Sequence, residues 1–320
     1  MLVECVPNFS EGRQAATIAA LQAAVRSVDG VRLLDTHSDT DHNRSVLTFA
    51  GTPGAVAEAA FRAVREAAAR IDLRAHRGVH PRIGAADVVP FVPLGDAPMA
   101  VCVELAEAVG GRIGAELGLP VYLYGAAARR PQRRVLANVR RGEYEGLAAA
   151  LASDSARAPD FGPSTVGPAG AVAVGARGPL IAFNVLLATS DLAVAKAVAR
   201  AVRASSGGLP GVQALGVACS RPGAVQVTMN LTDPRRTGLW TVYTAVQGEA
   251  ARRGVGVLES ELVGLVPAEV ALDAAAGALR LPHLGPPHVV ELAWAWPEGA
   301  WPDAAVPRDT TGGPAGVETA

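Results

Sequence analysis

Ser45-Val46-Leu47-Thr48-Phe49-Ala50 alternates its side chains with the period of a strand, and Val56, Ala60, Ala63, Val64, Ala67 and Ile71 then recur on one face of a long helix. This β-to-α step sets the reading of everything around it. Upstream, residues 31–35 form a second strand and residues 2–6 a short buried one. Between those two, Ser10 is placed to cap a helix whose apolar stripe runs Ile18, Leu21, Val25 and Val28. Downstream, residues 87–93 supply a fourth strand. The order is β-α-β-β-α-β, the ferredoxin-like or split βαβ arrangement of an α/β (α+β) fold. A helix near 99–117 and a strand at 121–124 extend it.

The second half repeats the order. Residues 180–187 are strand-like, and Leu192, Ala195, Val198, Ala199 and Val202 share one face of a helix over 191–204. Strands at 212–218 and 225–231, a helix over 237–253 and a returning strand at 256–260 complete it. The expected domains are 1–179 and 180–297, followed by a mobile tail over 298–320 that is rich in Pro, Gly, Asp and Thr. The repeat exists only at the level of elements. Amphipathic helices on the outside of each sheet leave two barer faces to oppose each other, with a site expected between them.

Composition narrows the functions. Half of the 320 residues are apolar, enough for sizeable cores. The formal net charge of −1 offers no field to hold nucleic acid. The three cysteines, Cys5, Cys102 and Cys219, have neither pairing nor metal spacing and suit a reducing compartment. Glu4 and Pro7 interrupt any leader-like start, and no apolar run approaches the ~20 residues of a membrane span. The expectation is a soluble cytoplasmic protein with no membrane and no nucleic-acid partner.

The chemistry concentrates in His76-Arg77-Gly78-Val79-His80-Pro81-Arg82-Ile83-Gly84-Ala85. Pro81 removes a backbone donor and the glycines loosen the chain, so this is a loop. Imidazoles beside guanidiniums suit proton transfer next to an anionic substrate. A solvated basic turn is the plain alternative. His76 and His80 stand four apart, as two metal ligands on a helix would. Gly78 and Pro81 argue against a helix, Arg77 replaces the Glu of a zincin, and no third ligand is near, so no metal is expected.

The loop sits in an ordered series of motifs. Val3-Glu4-Cys5-Val6-Pro7-Asn8-Phe9-Ser10-Glu11-Gly12 opens the chain, and Asp41-His42-Asn43-Arg44-Ser45-Val46 precedes the His-rich loop. Val121-Tyr122-Leu123-Tyr124-Gly125, Arg141-Gly142-Glu143-Tyr144-Glu145-Gly146 and Pro159-Asp160-Phe161-Gly162-Pro163 follow. Then come Ile181-Ala182-Phe183-Asn184, Gln226-Val227-Thr228-Met229-Asn230-Leu231 and Leu262-Val263-Gly264-Leu265-Val266-Pro267. In this order and spacing, over roughly residues 2 to 280, the chain resembles the glutamate formimidoyltransferase family, the folate-dependent enzymes of histidine breakdown. Some relatives carry a cyclodeaminase domain after this point, and that second activity is not expected here.

The resemblance implies transfer of a formimino group from N-formimino-L-glutamate to N5 of tetrahydrofolate, with tetrahydrofolate as co-substrate, two α/β subdomains facing through their sheets, and a homodimer. His80 matches the family's catalytic histidine in its His-Pro-Arg motif, and a group titrating near neutrality suits both proton transfers. Arg82 and Arg44 lie in motif-bearing loops and are the choices for gripping carboxylates. Asn43 offers an amide to a pterin edge or an amino acid, and Asp39, with Asp35 and Asp41, crowds the same loop. Gly162, Pro163, Ser164, Thr165, Val166, Gly167, Pro168, Ala169 and Gly170 match the folate-binding segment in position, their small size permitting close approach of a flat ring. Asn184 and Asn230 sit on strands and are expected to face the cleft, since a polar group on an apolar strand needs a partner. Asp87 reads either as a strand-start residue or as a site carboxylate. His37 and Val79 stand where relatives often carry carboxylates, which leaves a related transferase with a different donor as a competing reading; folate binding without catalysis is a second one, against which His80 argues.

Overall fold

The computed structural model describes residues 1–78, 80–219, 221–290 and 292; the tail expected over 298–320 lies outside them, as does Val79. Two compact units result, Met1–Ala182 with Leu262–Leu265, and Phe183–Glu261 with the described residues from Val266 onward.

The first unit runs β1 (Leu2–Cys5), β2 (Asn8–Phe9), α1 (Ala15–Arg26), β3 (Val31–Asp39), β4 (Arg44–Gly51), α2 (Pro53–Arg70), β5 (Ala86–Leu94), α3 (Met99–Glu116), β6 (Val121–Gly125), α4 (Leu136–Val139), α5 (Glu143–Ser153) and β7 (Val172–Ala176). β1 and β2 are two pieces of one strand broken at Val6–Pro7, because both pair antiparallel with β4 on one side and β5 on the other. The sheet order is therefore β3, β4, β1/β2, β5, β7, β6, whose first four members follow the ferredoxin-like order. β7 inserts parallel to both β5 and β6.

Leu21 and Val25 of α1, Phe61 and Val64 of α2 and Val109 and Ile113 of α3 pack with Val3, Cys5, Phe49, Phe91 and Val174 into one buried core. Each such Val or Phe contributes about 1.5–3 kcal/mol by leaving water. Alternation along β4 sends Leu47 and Phe49 into that core and turns Arg44, Val46 and Thr48 to the opposite face. On that opposite face a smaller cluster of Val88, Tyr122, Tyr124, Val139, Leu147 and Ala173 seats α4 and α5 over the β5–β7–β6 side.

The second unit has sheet order β11 (Val257–Val263), β8 (Ile181–Leu187), β10 (Val225–Leu231), β9 (Val212–Ala218), again ferredoxin-like. Its helices are α6 (Leu192–Val202), α7 (Leu239–Ala251) and α8 (Ala268–Leu279). Asp191 caps α6 by accepting from Ala193 N at 2.8 Å, and the expected stripe Ala195, Val198, Ala199 and Val202 is buried.

Three local expectations are corrected. Ser10 does not cap α1: Gln14 takes the N-cap position, and Ser10 Oγ donates to Gly84 O at 2.7 Å. Ser10 N also bonds Ala85 O, so sheet pairing has claimed the residue, and the Glu11 carboxylate receives the Arg13 and Gln14 N–H groups instead. β3 runs to Asp39 rather than stopping at 35, because a bulge between Leu33 and Asp35 shifts the register and breaks the alternation the eye follows. α4, α5, β7 and α8 were not expected; their apolar residues are mostly alanines and valines with little period.

Candidate active site

The β3–β4 hairpin presents its turn at one end of the sheet. Asp39 Oδ1 accepts from the N–H groups of Asp41 and His42, each at 2.8 Å, and Oδ2 meets His42 Nδ1 at 2.8 Å. Burial pushes the Asp39 carboxyl up, but the His42 and Asp41 donors outweigh it and hold the group below its usual range. Asn43 follows with φ of 47°, a left-handed conformation that Asn tolerates better than most residues. Its Oδ1 accepts from Gly12 N at 2.9 Å and its Nδ2 donates to Arg77 O at 3.0 Å. The His-rich loop lies directly on this turn. A Cβ at Gly78 would collide with His42 O, so only glycine permits the approach.

His80 stands over the turn, its ring edge-on to His42 with centroids 6.4 Å apart. Its Nε2 is buried without a hydrogen-bond partner, and so is Arg44 Nε. Burial, followed by the positive charges of Arg44 and Arg140, pushes the His80 imidazole down to about 2, so the ring is neutral at physiological pH. Burial also lowers Arg44, with Arg140 acting in the same direction and Asp39 and Asp87 against it. Arg140, at the end of α4, donates through Nε to Asp87 Oδ2 at 2.9 Å, and its Nη2 contacts the same oxygen. Asp87 is buried, and its Oδ1 accepts from Ile83 N at 2.8 Å. One carboxylate thus ties an arginine to the loop that carries His80.

Arg82 is engaged inside the protein. Its Nε donates to His76 Nδ1 at 3.1 Å, Nη1 to Glu143 Oε2 at 3.1 Å and Glu145 Oε2 at 3.0 Å, and Nη2 to Glu145 Oε1 at 2.7 Å. A cavity of about 490 Å³ opens beside this group, lined in part by His76, Arg77, Arg82, Glu143 and Glu145. The small-residue loop is exposed from Gly162 to Thr165 and at Gly167 and Pro168, Val166 is half-buried, and Ala169 and Gly170 are buried. Its last residues are tied to the neighbourhood of His80: Ala169 O accepts from Ala85 N at 2.8 Å, Pro168 O from Leu73 N at 2.9 Å, and Gly170 bridges Gly84. A Cβ at Gly84 would strike Ala171 O, so this crossing too requires glycine.

Residues 2–177 match the family model for the formiminotransferase domain, N-terminal subdomain, and residues 182–280 match the model for the formiminotransferase domain. The chain belongs to the formiminotransferase family. It is 50% identical over 282 residues to a glutamate formimidoyltransferase of Thermoplasma acidophilum, covering 88% of this chain and 93% of that one. It is 44% identical to a glutamate formimidoyltransferase of Streptococcus pyogenes, over 86% of this chain and 92% of that one. The formimidoyltransferase-cyclodeaminase of Sus scrofa is 46% identical over 86% of this chain and 52% of its own length.

In this formiminotransferase the first unit brings together Asp39, Asn43, Arg44, His80, Arg82 and the buried end of the 162–170 loop. Asn184 and Asn230 lie on strands of the second sheet. Asn184 is buried and donates to Glu261 Oε2 at 3.0 Å; Asn230 is exposed and pairs in register with Gln213. Among the described residues no three His, Cys, Asp or Glu side chains are grouped to hold a metal ion, and no helix is long and apolar enough to cross a membrane. Sequence reading missed Arg140, Glu143, Tyr144 and Glu145 as parts of the site. The block Arg141–Gly146 stood out as a motif, but nothing local says that its carboxylates reach back to Arg82.

Proposed function

We propose that this chain transfers the formimino group of N-formimino-L-glutamate to N5 of tetrahydrofolate, giving 5-formiminotetrahydrofolate and glutamate. The observation that carries the reading is His80: a neutral imidazole whose Nε2 is buried and unpartnered, beside an Arg44 Nε in the same condition. Polar atoms left this way in a folded protein call for a ligand that completes them. N5 of tetrahydrofolate attacks the formimino carbon and loses its proton to His80. The carbon–nitrogen bond to glutamate then breaks, and the same proton passes to the departing glutamate nitrogen. The ring returns to its neutral state, so the transfer needs no other proton source.

Both substrates are anions. Arg44, whose buried Nε has no partner among the described residues, and Arg140, which holds Asp87, are the groups we assign to a carboxylate, while Arg82 is already forked onto Glu145. A carboxylate seated against Arg44 and Arg140 removes part of the positive field at His80 and raises its basicity. That correction is needed, because a ring titrating near 2 is a poor base until the substrate arrives. The exposed small residues at 162–165, 167 and 168 suit the flat pteridine of the folate. The reading extends to a homodimer in the cytoplasm; the family resemblance supports the first, and three free cysteines fit the second.

The test is a donor competition with the purified chain: tetrahydrofolate with formiminoglutamate, and other formimino and formyl donors in parallel. Equal amounts of 5-formiminotetrahydrofolate and glutamate are expected. Turnover with another donor and none with formiminoglutamate would overturn the assignment.

A further inference from the structure

The only two residues with positive φ among the described non-glycines of the first unit, Asn43 at 47° and Glu143 at 52°, stand at the two ends of one hydrogen-bonded chain. Strain of this kind costs about 1–3 kcal/mol per residue and persists only where the surroundings impose it. Arg82 fills the middle of the chain. An arginine can only donate, so His76 Nδ1, at 3.1 Å from Arg82 Nε, must be the acceptor. The other ring nitrogen therefore carries the hydrogen, and Nε2 donates to Asn43 O at 3.0 Å. The tautomer follows from the partners alone. On the far side, Arg82 grips Glu143 and Glu145, and its carbonyl accepts from Tyr144 N at 2.9 Å. Tyr144 Oη reaches Gly167 O at 3.4 Å in the small-residue loop.

We propose that Arg82 is a positioning residue: it locks His76 as the neutral Nε2–H tautomer and so joins the turn that carries Arg44 to the α5 start and the 162–170 loop. The proposal rests on the formimino-transfer reading for what the two ends do, and on geometry for the chain itself. A change at Asn43 reaches Glu143 through three consecutive hydrogen bonds. Arg44 follows Asn43 directly, so the position of the carboxylate-binding guanidinium depends on a buried histidine whose two ring nitrogens are both taken by protein partners. The charged surroundings of His76 agree with the locked ring. Burial lowers its affinity for a proton and the charges of Arg82 and Arg13 act in the same direction, against the Asn43 carbonyl and Glu11, which raise it.

The spectroscopic test uses the full chain with 15N-labelled histidine and needs no substrate. The neutral His76 ring should carry its hydrogen on Nε2 and should titrate below an ordinary imidazole, and Arg82→Met should move that titration back towards the ordinary value. A wild-type His76 that carries its hydrogen on Nδ1, or that titrates normally, overturns the proposal whatever the enzyme transfers. The kinetic test compares His76→Phe, which removes donor and acceptor, with His76→Gln, which keeps both. His76→Phe should raise KM for formiminoglutamate about tenfold, the loss of one buried hydrogen-bond partner, with a smaller change in kcat. His76→Gln should restore most of it. Should His76→Phe not fold, Glu145→Gln at the exposed end should move both KM values in the same direction. Equal KM values in wild type, His76→Phe and Glu145→Gln overturn the coupling.

Discussion

Two clusters in the first unit hold arginines against aromatic or imidazole rings, and they differ in what their polar atoms have left over. Around Tyr122, Arg133 donates to Asp160 Oδ2 at 2.6 Å and to the carbonyls of Ala156 and Ala158, and Asp160 also receives Leu123 N. Arg157 donates to the carbonyls of Asn138, Val139 and Arg141, and Tyr122 Oη donates to Arg157 O. Both guanidiniums lie over the tyrosine ring, at 4.9 and 5.8 Å. Arg157 Nε alone lacks a partner there. Around His80, by contrast, the imidazole Nε2 and Arg44 Nε are both without a partner among the described residues, and Arg140 donates to Asp87. Density of buried charge therefore does not mark a site. The clusters differ in how the unfilled capacity is grouped: one Arg157 Nε stands among filled donors, whereas His80 Nε2 and Arg44 Nε are unfilled side by side, and a pair of that kind is what asks for a ligand.

The sharpest way to break this contrast is to delete one group from each cluster. His80→Ala should lower turnover by about 10²–10⁴-fold, the range of a general acid–base group, with an unchanged melting temperature. Near-native turnover in a folded His80→Ala protein would remove His80 from the chemistry. Arg133→Leu should do the opposite. It leaves the Asp160 carboxylate buried without its cation, a loss of about 3–5 kcal/mol in chemical denaturation, while kcat of the folded fraction stays close to wild type. If Arg133→Leu were as stable as wild type but inactive, the filled cluster would be the functional one.

A smaller effect sharpens the second member of the His80 cluster. Arg140→Gln retains a donor for Asp87 and loses the cation. KM for formiminoglutamate should rise about tenfold, equivalent to about 1.4 kcal/mol. An unchanged KM would leave Arg44 as the sole carboxylate grip and reduce Arg140 to a brace for the loop through Asp87.

What the sequence makes legible follows from how local each signal is. The strands and helices of the two ferredoxin-like orders carry their own periodicity, so β4, α2 and α6 can be read directly. His80 is legible because Gly78, Pro81 and Gly84 mark its loop. The partners of Arg82 are not: Glu143 and Glu145 lie 61 and 63 residues away, on a helix whose alanines give little amphipathic signal. For the same reason Arg82 and Arg44 look equivalent in sequence, each a lone arginine in a motif. Only the fold separates them, by closing one arginine onto two carboxylates and leaving Nε of the other bare. Asp87, readable either as a strand start or as a site carboxylate, sits at the head of β5 and holds Arg140 beside His80.

The last expected effect is in stability against pH, absent at neutral pH and growing only in acid, and it tests whether the unfilled capacity around His80 is real. The folded protein holds His80 far below its ordinary value of 6.5, to about 2, whereas the unfolded chain titrates near the ordinary value. Below pH 6.5 the unfolded chain therefore binds a proton that the folded chain refuses. Stability must rise with pH between those two values and be indifferent to this group above the upper one. His80→Gln cannot take up the proton in either state. The difference in unfolding free energy between wild type and His80→Gln should be flat above pH 7 and should move against wild type as the pH falls towards 5, approaching a slope of about 1.4 kcal/mol per pH unit. His76, also lowered, contributes equally to both proteins and cancels. Asp39 and Glu145 are held below their usual values, so their losses begin only at more acid pH. Glutamate, whose carboxylates would sit against Arg44 and Arg140, should flatten the wild-type slope by letting His80 accept its proton in the folded state. Parallel pH curves for the two proteins would mean that His80 is solvated like any surface histidine, and the contrast with the Tyr122 cluster would collapse.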